Sequence, residues 1–491
     1  MRRALPAVAL IALCMAAVAA AQIPTRPEQL TYPGLDWKIP DAGAMRAVLA
    51  NGVAVYLAED RMLPLVSIQV QFRGGRYLEP AGKEGVASLT GTVWRTGGAG
   101  DLDPKALDEE LDELAAQLST SVGDVTGSVN LNLLSKDVDR GLHLLMLVLQ
   151  KPRFEADRLA KAKEDLISDL KRRNDETADI EGREWNRLLY GEGFWLNRLA
   201  TKASVDGIVQ ADLVALHKQL ANPANFVVAV AGDFKRDEML RKLGATLGAW
   251  KATGPRVAAV PQPAGSAKPG VYLVDKKDVN QGRISMGHMG TKRPLGDEAA
   301  IVVANDILGG GGFTAWMMKR VRSDEGLAYG AYSNYGIGDL MPGAFRAFVQ
   351  SKSATCARAA TLTRELMVKL RAGEYTDKEL ETSKISFIET LPRSFETRWR
   401  TVLRFAGDEL VGRDKAYWPT YRQRIGAVTA QAARDAANKY IQPDQLIILM
   451  VGNIDDILKG SPDHPNAKVE SLGPITRLPL RDPLTLQPLA P

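Results

Sequence analysis

Two pairs of stretches in this chain repeat each other at almost one spacing. Residues 208–233, IVQADLVALHKQLANPANFVVAVAGD, align without a gap on residues 428–453, VTAQAARDAANKYIQPDQLIILMVGN, so that Pro223 falls on Pro443 and Gly232 on Gly452. Residues 154–170 align likewise on residues 375–391, with Lys163 on Lys384. The offsets are 220 and 221 residues. Chance can supply one such match, but two at nearly the same offset mean one fold used twice. Each copy reads helix, helix, Pro, apolar strand, Gly, and short parallel crossovers are absent. The expected class is α+β: two homologous halves, each a mainly antiparallel sheet with helices packed on one face.

The rest of the chain fits around that plan. Its 491 residues exceed what one core holds, and 45% hydrophobic with 25% charged residues is ordinary globular composition. Residues 45–75 predict two strands with Asn51-Gly52 as a turn, and the second, Leu65 to Phe72, is apolar at period two. Helices are expected over 81–98, 136–149 and 154–173, with strands at VTGSVNLNLL and PANFVVAVAGDF. ATGPRVAAVPQPAGSAKPG, residues 252–270, has the composition of an extended linker and sets the boundary between a first domain, 45–251, and a second, 271–460. Residues 22–44 read as a Pro-rich arm, and 461–491, with seven prolines, as an extended tail.

Residues 1–21 read as a secretory signal. Arg2 and Arg3 precede an apolar run too short to span a membrane comfortably, and Ala19-Ala20-Ala21 supplies a cleavage site before Gln22. Export to a bacterial periplasm is the expectation. The formal charge of +5 drops to +3 once Arg2 and Arg3 are removed, and Lys and Arg form no stripe, which argues against a nucleic-acid partner. Of the two cysteines, Cys14 and Cys356, only Cys356 remains after cleavage, so no intrachain disulfide forms.

Candidate chemistry gathers in ILGGGGFTAWMMKRVRSDEGLAYGAYSNYG, residues 307–336. The run Gly309, Gly310, Gly311, Gly312 lacks the Gly-Lys-Ser/Thr of a phosphate cradle and reads as a flexible loop beside a cleft. Arg322 and, seven residues on, Tyr329 follow in the phrase GLAYG. The histidines are His143, His217, His288 and His464, and none pairs with another at metal-ligand spacing. Ser88 has no serine-hydrolase context.

The two-half plan resembles the inverzincin metallopeptidases, a family that includes insulysin, pitrilysin and the mitochondrial processing peptidase. The resemblance covers roughly residues 45–455. It implies halves that close as a clamshell, with His-x-x-Glu-His and a later glutamate holding zinc in the first half. At the corresponding positions, in KEGVASLTGTVWRTGG, this chain has Ser88 for the first ligand, Gly91 for the base and Thr92 for the second ligand. Asp169, or its neighbour Ser168, falls at the third ligand. Hydroxyls are poor zinc ligands and glycine takes no proton, so no cofactor is expected in this chain. Trp94, in the same helix, is expected to fill the space of the lost site. The second half keeps the family's R-x-x-x-G-L-x-Y, as Arg322, Gly326, Leu327 and Tyr329. By that resemblance the pair binds substrate backbone and steadies the developing oxyanion in trans. The metal would sit in a homologous His-x-x-Glu-His partner, giving a heterodimer that acts on peptides. The alternatives are a structural or peptide-binding scaffold without proteolysis, and a hydrolase with a site of its own, which no nucleophile–base pair supports. Peptides would lie extended, adding a strand to an exposed sheet edge.

Overall fold

Where a strand is apolar at every position, both of its faces must be covered, and where it alternates, only one is. That distinction organises the computed structural model, which describes residues 37–489 together with Arg26 and Leu30. The expected signal at 1–21 lies outside the described residues, as does most of the arm at 22–44. From Pro40 onward the chain is one compact unit.

The first half contributes strands β1 (Arg46–Val48), β2 (Ala54–Glu59), β3 (Leu65–Arg73), β4 (Gln117–Val122), β5 (Thr126–Leu134) and β6 (Phe226–Gly232). They form one sheet in the order β1-β2-β6-β3-β5-β4. Asn51-Gly52 does make a turn, but between β1 and β2, so residues 45–75 hold three strands rather than two. The second half contributes β7 (Gly270–Asp275), β8 (Gln281–Met289), β9 (Thr291–Lys292), β10 (Ala328–Tyr335), β11 (Ile337–Gly338), β12 (Ala344–Lys352), β13 (Ile447–Gly452) and β14 (Ile475–Leu478). Its main sheet runs β14-β7-β13-β8-β12-β10, with β9 and β11 as a small parallel pair beside it. Setting β2, β6, β3, β5 and β4 against β7, β13, β8, β12 and β10 gives the same order twice, with the same parallel pair, β2/β6 and β7/β13, among otherwise antiparallel neighbours. The repeat seen in the sequence is therefore a repeat of topology. The sheets differ at their outer strand. The tail, expected to be merely extended, supplies β14, which runs parallel to β7.

Helices cover one face of each sheet from within its own half. In the first half these include α1 (Val86–Thr96), α2 (Val138–Gln150), α3 (Ala156–Lys171) and, beyond α4 (Thr177–Tyr190), α5 (Gln210–Leu220). In the second they are α6 (Glu298–Asn305), α7 (Cys356–Ala372), α8 (Asp377–Thr390) and, beyond α9 (Arg398–Val411), α10 (Ala430–Tyr440). The two helices passed over, α4 and α9, are exchanged. From α4, Ile180, Leu188 and Leu189 pack against Val274, Ile447, Leu449 and Val451 on the far face of the second sheet. From α9, Phe405 meets Tyr56 with ring centres 6.0 Å apart, and Glu409 accepts from Arg46 at 2.7 Å and from the Tyr56 hydroxyl at 2.6 Å. This explains the burial patterns. β6 and β13 are covered on both faces and read FVVAVAG and IILMVG, whereas β3, beyond the reach of α9 for most of its length, alternates. The boundary at 252–270 is thus one of sequence; in space α4 belongs to the second sheet and α9 to the first. The linker itself has no regular structure but is pinned by Tyr77 to Ala258 O, Trp195 to Pro261 O and Ala267 N to Leu188 O.

Candidate functional site

Arg322 and Tyr329 are brought together by three local irregularities. Met318–Asp324, which carries Arg322, is a π-helical turn, as is Asp306–Gly310 before it; such widened turns recur at functional sites. Gly326, at φ +61°, reverses the chain in a conformation that L side chains resist. The register of β10 against β12 then slips between Ala328 and Gly330, leaving Tyr329 as the bulged residue. A bulge re-aims a side chain, and the Tyr329 side chain stands out to solvent, 82% exposed. The Arg322 guanidinium carbon lies 5.4 Å from the centre of the Tyr329 ring and 5.1 Å from that of Phe313, itself 77% exposed. Stacking occupies the faces of the guanidinium and leaves its N–H edges free. Arg322 forms no ion pair among the described residues; nearby Asp324 and Glu325 are taken by Arg320 and Arg358. A cation held by two rings, without a carboxylate, beside an exposed phenol can donate to an oxygen that gains negative charge.

Phe313 was not singled out by sequence reasoning. The only signal for it was its place between the glycine run and the basic helix. The run is not a free loop. Gly309 and Gly310 belong to the first π turn, and a Cβ on Gly309 would stand 2.4 Å from Ser333 N, so glycine lets the turn lie against β10. Met317 and Met318 are buried, as expected for packing. The outer edge of β10 is also partly used. Ala331 N donates to Met318 Sδ at 3.5 Å and Asn305 Nδ2 to Ser333 O at 3.2 Å. Strand addition along all of β10 is therefore closed, and the open stretch is the bulge at Tyr329.

At the other half-site, Ser88 and Thr92 sit on the exposed face of α1, with Thr92 Oγ1 turned back to Ser88 O at 3.1 Å. Gly91 is buried against β4. A Cβ there would lie 2.8 Å from Val122 N, and Thr120 Oγ1 donates to Gly91 O at 2.6 Å. The position of the family's general base therefore lacks both the carboxylate and the room for one. Asp169, on the exposed side of α3, pairs with Arg172 at 2.5 Å. Two hydroxyls, a glycine and a committed carboxylate do not suit zinc, and no cluster of three His, Cys, Asp or Glu side chains among the described residues could hold a metal. The expectation for Trp94 is corrected. It points away from Ser88 and Thr92 into the core, where its indole donates to Val148 O at 2.7 Å and meets His217 at 4.7 Å and Phe72 at 5.5 Å.

The histidines have structural surroundings. His143 is exposed on α2. Burial pushes His217 down to about 4, and its ring bonds Leu149 O at 3.0 Å. His288, in β8, is also held down by burial and accepts from Gln442 N at 3.1 Å. Cys356 is buried, which pushes its thiol up to about 12.

Residues 207–387 match the family model described as the peptidase M16 inactive domain. A relative named non-peptidase homolog YmxG, from Helicobacter pylori, is 24% identical over 70% of this chain and 79% of its own length. An uncharacterized zinc protease YmxG of Bacillus subtilis is 22% identical over 82% of this chain and 97% of its own. The crystal structure of a peptidase M16 inactive domain from Pseudomonas fluorescens has the same fold, with TM-score 0.75, 24% identity, and 83% of this chain and 97% of that one covered. The periplasmic protease PqqL of Escherichia coli superposes with TM-score 0.71 at 16% identity, covering 91% of this chain and half of that one. Residues 207–387 thus resemble the peptidase M16 inactive domain, and across most of the chain the likeness is one of fold. The matched model is described as inactive, and the Helicobacter pylori relative is named a non-peptidase homolog.

Proposed function

We propose that this chain is the zinc-lacking subunit of a two-chain zinc peptidase of the bacterial periplasm. Arg322 and Tyr329 are its contribution to a site completed by a homologous His-x-x-Glu-His chain. The observation that carries this reading is the stack of Phe313, Arg322 and Tyr329: an unpaired cation and an exposed phenol at a strand bulge, in a family whose hydrolysis builds charge on a carbonyl oxygen. Substrate backbone would be held at the bulge, next to the turn formed by Gly309, Gly310, Gly311 and Gly312. The periplasmic assignment rests on the leader-like residues 1–21 and on the printed location of PqqL. Among the described residues no helix is long and apolar enough to cross a membrane. The scaffold alternative would leave the Arg322–Tyr329 pair without work to do.

The test is reconstitution. The mature chain alone should cleave no peptide, and mixing with its zinc-motif homologue should give activity. Arg322→Ala or Tyr329→Phe should lower turnover while the complex still assembles. Chelator-sensitive cleavage by the lone chain would overturn the reading. Activity indifferent to both substitutions would favour the scaffold.

A further inference from the structure

The loop between α8 and α9, with α9 itself, lines a cleft of about 670 Å³ in which arginines outnumber carboxylates. Arg393, Arg400, Arg404 and Arg413 face it, with only Asp339 and Asp408 against them. Both aspartates are spoken for, since Arg413 pairs with Asp339 at 2.8 Å and Asp408 at 3.1 Å. Arg404 lies 4.9 Å from the centre of the Trp418 ring and 5.6 Å from that of Phe395, and its Nε donates to Ser394 O at 3.3 Å. Its two terminal nitrogens make no hydrogen bond or ion pair among the described residues, though Asp408 lies close enough to feel its charge. The stacked guanidinium is thus fixed in place with a free N–H edge, the geometry that receives a carboxylate. Arg393 is exposed and pairs with nothing among the described residues. Arg400 has only Glu396, and both of those side chains are more than half exposed, 59% and 62%, so that pair exchanges readily.

The sister half carries less of this charge, its cleft being lined by Arg172, Arg173 and Arg183 against Asp169 and Asp179. Arg172 and Arg183 precede Arg393 and Arg404 by the same 221 residues that separate the repeated helices, and they line a corresponding cleft of about 490 Å³. There Arg172 is neutralised by Asp169 and Arg183 by the buried Glu184, and Asp179 stands where the second half has Arg400.

We infer that the cleft on α9 binds the carboxylates of acidic peptide segments. Its volume is in the range of ligand pockets of about 300–1,000 Å³ and far exceeds one tetrahedral oxyanion. Arg400 and Arg404 are one helical turn apart, a rise of about 6 Å. Same-face side chains of an extended peptide recur about every 6.6 Å. Two guanidinium groups on α9 therefore match a Glu-x-Glu pattern, and Arg393 adds a third donor. The inference concerns this chain alone and does not depend on a zinc-bearing partner.

The experiment measures binding of a fluorescently labelled Glu-Ala-Glu-Ala-Glu peptide, and of its Gln counterpart, to the full mature chain at low salt. Inorganic phosphate serves as competitor. The acidic peptide should bind and the Gln peptide should not. Arg393→Gln with Arg400→Gln, both at exposed positions, should weaken binding at least about tenfold, as loss of two charge-assisted bonds implies. Arg322→Ala with Tyr329→Phe should leave binding unchanged, which separates this site from the proposed peptidase site. Equal binding of the Gln peptide, indifference to the double Arg substitution, or phosphate competing as well as unlabelled acidic peptide would each overturn the inference.

Discussion

The guanidinium of Arg322 is stacked on the Tyr329 ring, 5.4 Å from its centre, and the tyrosine is the bulged residue of an edge strand. The ring therefore has two separable parts: a face that holds the arginine and a hydroxyl that can donate. Tyr329→Phe keeps the first and removes the second. In the reconstituted two-chain enzyme we expect kcat to fall by about 10²–10³, the usual loss of one oxyanion donor. Phe313→Ala removes only one wall of the stack, a cation–π contact of about 0.5–1 kcal/mol at an exposed site, so its loss should be under tenfold. Steady-state kinetics on the two variants, with assembly checked by gel filtration, decides between these roles. A larger effect of Phe313→Ala than of Tyr329→Phe would make the hydroxyl dispensable.

Gly91 is held 2.8 Å, counted from the Cβ it lacks, from Val122 N of β4. Gly91→Ala forces α1 and β4 apart in a packed region, and we expect it to cost about 1–3 kcal/mol. Ser88→Ala, on the exposed face of the same helix, should change stability by less than about 0.5 kcal/mol. For the same reason, grafting Ser88→His, Gly91→Glu and Thr92→His together should yield a destabilised chain without stoichiometric zinc. Denaturant midpoints and metal analysis of the purified variants check both statements. Full zinc occupancy in an undamaged fold would show that the helix can move off the strand.

The sequence-level reading succeeded where the signal was periodic or punctuated. The offset between residues 208–233 and 428–453 foretold two sheets of one strand order, and the alternation from Leu65 to Phe72 foretold a half-buried strand. It failed where long-range packing decides. FVVAVAG, apolar throughout, says that both of its faces are covered, but nothing local in it says that the second cover is a helix beginning 166 residues after the strand ends. Trp94 could not be placed either, because a helix position near a lost site says less than which side of the helix meets Phe72 and His217. Arg322 and Tyr329 were legible as a motif. Phe313, the other wall, was not, since it meets Arg322 only after the π turns have formed.

Glu79 gives a pH dependence of definite sign. Its carboxylate accepts from Gly85 N at 3.1 Å and Ala87 N at 2.8 Å at the start of α1, and burial lifts it from 4.5 to about 7. Between those pH values the folded chain binds more protons than the unfolded one. Glu79 therefore makes stability fall as pH rises from 4.5 to about 7, by on the order of 3 kcal/mol, and the loss persists above that. His217 works the other way. Lowered from 6.5 to about 4, it is charged first in the unfolded chain and adds stability as pH rises through that window. The wild-type curve sums the two opposing slopes. Glu79→Gln keeps an oxygen for both N–H groups and cannot ionise. Its stability relative to wild type should therefore climb across the window from 4.5 to 7 and then level off. A difference independent of pH, from thermal melts at matched buffers, would refute this.

The exchanged helices make each half depend on the other. Glu181 of α4, with 1% of its side chain exposed, accepts from Arg283 at 2.7 Å, from Arg346 at 2.7 Å and from the Ser285 hydroxyl on the far face of the second sheet. Glu181→Ala leaves two partly exposed guanidinium groups without their counter-ion, and we expect a loss of about 1.5–3 kcal/mol. Adding Arg346→Ala to it should cost less than the sum of the single changes, because the second substitution removes a charge the first stranded. The same geometry bears on the halves. Residues 40–269 produced alone would leave β2 and β6 with one apolar face bare, and residues 270–489 would leave β7 and β13 likewise. A bare apolar sheet face of that kind drives association. Either half alone should therefore aggregate or lack cooperative unfolding, while the two halves produced together should recover a soluble pair. A half that unfolds cooperatively by itself would mean that α4 and α9 are attachments to finished domains rather than parts of the cores they cover.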